Sequence, residues 1–539
     1  MKSDFLKKIK DNRAQIGEGI YLLYFAVMIA VKAFGFYEGQ MIFNLSLLFV
    51  FGLFAIKMLI TKHTIKEYAV VAFFMLLAGI VYVKTGEKGL ILYFCMMLGM
   101  KQVSVLKVVE TGAIVSAIIT LFKIFTGVFG LAEEIYYPQE RAGIGLMFRH
   151  GLGYAHPNSL HMTVLSVMML VMYYVSKSLM RKTNTIKLII ISVLAFLFNL
   201  YIFQYSGSRT GLLAGTAYLI INLWFCLREK PGILEKIACY ISFPGTCFIA
   251  IVMPFILPES VFRKIDTTIF TTRFSIAKYF WSNNSPALFG IRLNNPDEWM
   301  STYGLDMSQL YLFLQLGIVT FVVMACLTMW FIHYSLKNSH MAELAVLMGM
   351  LVMGIWEPHL YNLSFKNFVF VFMGAAIYTA LAGNRKSDDI GNFTKNANDI
   401  SGNSKDSYEN SWISSMTLAD LIKSMCFGAA TGIASVMLFY LLTQEPSAFY
   451  GSRELNESGR SLGMEATYLT KEEAQELKTQ GNFIVGYVDE STPMYKFDSQ
   501  IALMEYERRG LSTGVFTGMA TCLASVVLLT RKKKKEYQR

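Results

Sequence analysis

Apolar runs of about twenty residues recur along most of the chain, separated by short polar connections. A helix needs about 20 such residues to cross the roughly 30 Å hydrocarbon core of a bilayer. The pattern predicts about fourteen spans, at 17–36, 40–60, 67–84, 88–100, 105–130, 158–177, 186–204, 209–227, 237–257, 307–334, 340–356, 364–382, 417–442 and 511–530. The expected class is an all-α polytopic membrane protein. Its first bundle, of about twelve spans, occupies 1–382, and two further spans lie within 416–539.

Between 383 and 415 the rhythm stops. Asn, Ser, Asp, Gly and Lys take over, a composition that buries too little apolar surface to fold and predicts a disordered linker. The last two spans flank a polar stretch at about 443–510 with signs of local order. Thr470 and Glu473 make a capping box, Gly481 can stop the helix, 482–488 reads as a strand and 499–509 as a second helix. A small α+β module is expected there.

Charge gives the bundle a direction. With the N-terminus inside, the basic connections at 57–66, 101–107, 177–187 and 228–236, Lys337 and the tail at 531–535 all fall on one side. Short cytoplasmic loops carry such an excess of Lys and Arg, which places both termini and the linker in the cytoplasm and the protein in the cell membrane. The net charge of +11 then orients spans and meets anionic lipid, and calls for no nucleic-acid partner. The basic N-terminal stretch precedes an apolar run with no small-residue cleavage site, so the first span is expected to be retained.

Composition excludes a soluble enzyme, since 54% of residues are hydrophobic and 16% charged, against roughly 25% charged in soluble domains. All seven cysteines lie within or beside apolar runs, which supports neither a disulfide framework nor a cysteine metal site.

The same parity leaves four segments outside, at 131–157, 205–209, 258–306 and 357–365, and these hold arginines and histidines against the usual bias. In His156-Pro157-Asn158, proline suits the first helical position and His156 the N-cap. The positive helix end favours anions and disfavours imidazolium, so a neutral His156 could serve as a base or hydrogen-bond partner. Arg149 and His150 flank it. Ser208-Arg209-Thr210-Gly211 opens the next helix from the same side, and Arg209 can grip a phosphate with two parallel hydrogen bonds. Arg273 begins a stretch with amphipathic spacing that would present it to a cavity. Arg141 belongs to the same outside set, whereas Arg263 and Arg292 read as loop charges. Asp306 precedes Gln309 and Tyr311 at a span start, and Glu357-Pro358-His359 ends the eleventh span. Asp306 suits an orienting role, and Glu357 is an alternative base. Taken one at a time, each of these is an ordinary helix-end or snorkelling residue.

No outside loop carries Asp-x-Asp, and Gly-x-Ser-x-Gly, His-Glu-x-x-His and a P-loop are absent from the chain. No metal and no cofactor are expected. The order of the remaining motifs resembles the O-antigen ligase/polymerase superfamily, and within it the Wzy-type polymerases of capsule and exopolysaccharide. The resemblance rests on His-Pro-Asn before one span, Ser-Arg-Thr-Gly-Leu-Leu opening another, an Arg in a long outside loop, Asp before a Tyr-Leu run and a span-ending Glu. It covers about residues 15–382.

The resemblance implies a metal-independent, inverting glycosyltransferase on the outer face of the cytoplasmic membrane. Its donor and acceptor would be oligosaccharide repeats on undecaprenyl pyrophosphate. Arg149, Arg209 and Arg273 would bind the pyrophosphate and steady it as it leaves. His156 or Glu357 would activate the acceptor hydroxyl, while Asn158 and Gln309 would position sugars, with His150, Ser208 and Asp306 in support. Two rival functions are a ligase of the same superfamily, acting on another acceptor, and a flippase, which calls for ionisable residues at midplane depth. Residues 383–539 depart from the family pattern. They read as a fused regulatory or docking module for a chain-length regulator or other assembly proteins, and deleting 411–539 should change product length and leave polymerisation intact.

Overall fold

The computed structural model describes residues 12–132, 136–141, 145–179, 184–228, 230–297, 303–382, 416–444, 467–469, 495–497 and 499–537. Among the described residues helices dominate, and ten of them are long and apolar enough to cross a membrane. Three apolar helices are shorter, Gly89–Leu98, Met341–Gly354 and Val369–Ala382. The linker expected at 383–415 and most of the module expected at 443–510, including Thr470, Glu473 and 482–488, lie outside the described residues.

The chain divides into two compact units. The first comprises 1–120, 162–200 and 209–411, and the second 121–161, 201–208 and 412–539. This division does not follow the sequence boundary at 382, because the C-terminal pair of helices clusters with 121–161 and 201–208.

In the first unit, helices α1 (Arg13–Ala33), α2 (Met41–Ile60) and α3 (Ile65–Thr85) alternate in direction around α4 (Gly89–Leu98). Helix α3 starts at a capping box, Thr64 with Glu67, and stops at Gly86, whose φ of 83° only glycine adopts without strain. At about 1.5 Å per residue, the ten residues of α4 reach roughly half of a bilayer core, so the helix is shorter than the predicted span. It is apolar and buried on every side instead. Tyrosines pin it, since Tyr21 and Tyr24 donate to the carbonyls of Met96 (2.6 Å) and Leu92 (3.1 Å), and Tyr378 to that of Leu98 (2.7 Å). A Cβ on Gly374 would lie 2.0 Å from the Met97 carbonyl oxygen, which is why a glycine stands at that crossing.

Contacts within this unit sort its helix ends into two faces. On one, Lys57 donates to the Lys101 carbonyl, Lys101 meets Glu67, and Lys107 pairs with Glu18 at 2.6 Å. Across the bundle, Lys177 pairs with the buried Glu343 at 2.7 Å, joined by the Tyr173 hydroxyl at 2.8 Å. On the other face, Tyr93 donates to the His359 carbonyl, and Tyr311 and Gln315 both donate to Glu87. The lysine-rich connections and the segment 356–368 thus meet different partners.

Two spans differ from their predicted form. Helix α9 (Ile233–Ile256) widens into a π-helical turn at Phe248–Val252, just beyond Pro244, whose ring and missing N–H disturb the helix. The span expected at 307–334 is two pieces. A short helical segment covers 308–315, Gly317 turns the chain at φ 93°, and α12 runs Ile318–Lys337.

In the second unit, a β-hairpin pairs Tyr136–Arg141 with Gly145–His150, where the sequence suggested only a loop. Helices α15 (Leu418–Leu442) and α16 (Ser499–Tyr537) pack through glycines, two on each helix and four residues apart. A Cβ at Gly428 would meet the Gly518 oxygen at 2.6 Å, and one at Gly432 the Gly514 oxygen at 2.8 Å. Backbones approach this closely only where small residues line the seam. The helix expected at 499–509 is the first part of α16.

Candidate functional site

Arg273 is the centre of the first unit's polar end. It opens α11 (Arg273–Asn283) directly after Thr271 and Thr272, which adopt φ of 49° and 71°. A β-branched residue at positive φ is an outlier, and such strain costs about 1–3 kcal/mol per residue. Two in succession turn the chain sharply. Asp266 holds the corner, because its carboxylate accepts from the Phe274 N–H (2.9 Å), the Ser275 N–H (3.3 Å) and the Ser275 hydroxyl.

The Arg273 guanidinium is thereby buried, with its side chain 7% exposed. It donates to Glu357 Oε1 at 2.8 Å, to the Phe270 carbonyl at 3.3 Å, and to the Trp356 carbonyl and the Thr271 hydroxyl. Asp306 lies 3.8 Å away on its outer side. Two carboxylates thus share one arginine. Burial pushes Glu357 up to about 7, against the pull of Arg273, and nearby Asp306 adds to the rise. Burial also raises Asp306. His359 sits 3.7 Å from Glu357 Oε2, and its own burial, aided by Lys366 and Lys32, keeps it neutral. Ser308 donates to the Glu357 carbonyl at 2.5 Å and fixes the loop.

The sequence placed Arg273, Asp306 and Glu357 as neighbours in role, and the structure brings these three together. It corrects two details. Arg273 is enclosed by its partners instead of standing in a cavity. Gln309 is wholly buried, with its amide directed at the Leu351 carbonyl (3.4 Å), so it has no accessible surface with which to position a sugar.

The second unit holds another cluster. Arg149 Nε donates to the Ser206 carbonyl at 2.8 Å and its Nη2 to Asn158 Oδ1 at 2.6 Å. That fork ties the hairpin to two helix ends. His156 caps the helix Pro157–Leu179, as its Nδ1 accepts from the Asn158 N–H at 3.1 Å. An accepting Nδ1 leaves the proton of the neutral ring on Nε2. His156 can act as a base only by giving up its cap. His150 is buried and meets Arg508 of α16 at 3.2 Å. Arginine only donates, so here Nε2 of His150 accepts. Ser208 donates its backbone N–H to the Ser206 hydroxyl, which also meets His161.

Arg209 opens α8 (Arg209–Cys226) in the first unit, half-buried. Arg263 pairs with Glu259 on an exposed turn, a surface charge as the sequence suggested. Sequence reasoning missed His359, Lys366 and Arg508. Nothing local marks them, although His359 stands two residues from Glu357. Among the described residues no three His, Cys, Asp or Glu side chains converge as metal ligands. Compared with protein-family models, curated proteins and solved structures, the chain matches none.

Proposed function

We propose that this protein is a membrane glycosyltransferase that polymerises undecaprenyl-pyrophosphate-linked repeat units into capsular or exopolysaccharide on the outer face of the cytoplasmic membrane. The observation carrying this reading is Arg273, buried between Glu357 and Asp306, on the face of the first unit away from its lysine-rich connections. The positive-inside bias makes that face the outer one. A fixed cation in a dry setting is what a departing diphosphate requires. A carboxyl raised to about 7 is matched to removing a proton from a sugar hydroxyl near neutrality.

In this reading Glu357 takes the acceptor hydroxyl's proton as that oxygen attacks the anomeric carbon. The bond from that carbon to the pyrophosphate oxygen breaks, with inversion. Arg209 steadies the leaving diphosphate, Arg273, enclosed by its partners, contributes through its field, and Asp306 keeps Arg273 oriented. Arg149 and Asn158, locked together, and His156 would hold sugar or phosphate oxygens. His150 and Ser208 support them. Ligation of finished glycan to another acceptor would use the same groups.

The test is reconstitution with the lipid-linked repeat unit, without added metal, comparing wild type with Arg209→Ala and His156→Ala. A ladder of products from wild type supports polymerisation, and a single coupled product on an added acceptor supports ligation. Undiminished laddering in Arg209→Ala would remove the role given to that residue, and no coupling of any kind by wild type would overturn the reading.

A further inference from the structure

A small cavity opens within the first unit where α1 ends, beside the loop 364–368. Lys32, Ser116, Thr163, Ser166, Ser364 and Lys366 line it, with apolar side chains between them. Its free volume, about 20 Å³, admits one or two oxygen atoms and not a sugar ring.

The two lysines are poorly matched with counter-charge. Lys32 donates to the Phe36 carbonyl at 3.2 Å and lies over the Phe43 ring, leaving most of its hydrogen-bonding capacity unspent. Glu38, the carboxylate near it, is tied to Lys88. Lys366 makes neither a hydrogen bond nor an ion pair through its ammonium among the described residues. Glu357 is its nearest source of negative charge, yet that carboxylate is held by Arg273 and faces His359. Lys32 and Lys366 are close enough to repel one another, and both act on His359. Burial pulls the Lys366 ammonium down to about 8.

A half-buried ammonium without a counter-charge costs free energy, and a second one beside it raises the cost. The backbone enforces the arrangement, since Phe365, immediately before Lys366, is held at φ 56°. The hydroxyls of Ser116, Ser166 and Ser364 already donate to the Gly112, Met162 and His359 carbonyls, so the two ammoniums are the donors that the cavity offers to phosphoryl oxygens.

We propose that Lys32 and Lys366 form a binding site for a phosphoryl oxyanion, which enters the cavity by its oxygens. No arginine lines the cavity, and the proposal does not depend on polymerisation, because any phosphoryl group of the right reach would satisfy it.

The test is equilibrium binding to the purified full chain in neutral detergent, with inorganic phosphate and farnesyl monophosphate as probes and chloride at matched ionic strength as control. Wild type should bind at least one phosphoryl probe, and Lys366→Gln and Lys32→Gln should each weaken it about tenfold or more. Recovery in Lys366→Arg would show that the cation matters and not the shape. Binding of both probes identifies a general phosphoryl site, and binding of the prenyl phosphate alone identifies a lipid headgroup. Lys32→Gln decides the matter if Lys366→Gln fails to fold. Neither probe binding to folded wild type, or equal binding by wild type and Lys32→Gln, would overturn the proposal. Turnover is not measured, so failure of the polymerase reading leaves this result intact.

Discussion

Replacing Arg273 by glutamine should make the protein's stability depend steeply on pH. The substitution takes a buried cation from Glu357 and Asp306 and leaves the Trp356 and Phe270 carbonyls short of a donor. Removing one member of a buried ion pair typically costs about 3–5 kcal/mol, or roughly two to four orders of magnitude in the folded-to-unfolded ratio. Most of that cost is an unpaired carboxylate, so it should shrink when the carboxylate takes a proton. Glu357 already lies near 7 in the intact protein, above the usual carboxylate range. A carboxyl raised on folding stabilises fully below its unfolded value of about 4.3, and that contribution is lost as pH rises through the folded value. Without Arg273 the folded value climbs further. The variant should therefore regain about 1.4 kcal/mol per pH unit as pH falls from 8 towards 7, and stand nearest to wild type at about pH 5.5. Thermal unfolding in detergent, followed by tryptophan fluorescence at pH 5.5 and 8, reads this directly. The double variant Arg273→Gln/Glu357→Gln should recover much of the loss at pH 8. An equal loss at both pH values, or no recovery in the double variant, would refute the account of a buried carboxylate held by one arginine.

The strained corner should respond to glycine. Thr272→Gly relieves a left-handed threonine and should be neutral or stabilise by up to about 1 kcal/mol, read as a raised Tm, whereas the same change at a right-handed position lowers it. Gly432→Val drives a side chain into the Gly514 carbonyl and should cost about 1–3 kcal/mol in the α15–α16 pair. Cysteines replacing Thr431 and Thr521, whose hydroxyls lie 2.5 Å apart, should cross-link efficiently in the parent and poorly in that variant. Arg149→Lys loses the fork joining Ser206 to Asn158 and should lower product formation about tenfold with little change in Tm. Unchanged turnover would separate Arg149 from the site.

Much of this protein is legible in one dimension because a bilayer leaves few options. An apolar run that cannot expose its backbone to lipid must close its own hydrogen bonds, and a helix results. The runs from Arg13–Ala33 to Leu418–Leu442 follow from that, as does the His156 cap, which depends only on Pro157 and the next free N–H. Depth is less legible. The run at 88–100 holds a ten-residue helix buried among its neighbours, and hydropathy cannot tell lipid from protein as surroundings.

What the tertiary structure decided is which charges meet. Arg273, Asp306 and Glu357 lie in three separate segments, and only the fold could give one arginine to two carboxylates. Burial in that fold carries Glu357 to about 7 against the pull of Arg273, with Asp306 adding to the rise. The left-handed turn at Thr271 and Thr272 was equally hidden, since threonine favours extended backbone and adopts this one only where surrounding contacts over-determine it. Sequence sets where each helix begins. The field at a buried atom depends on every neighbour within a few ångströms, and those neighbours come from distant parts of the chain.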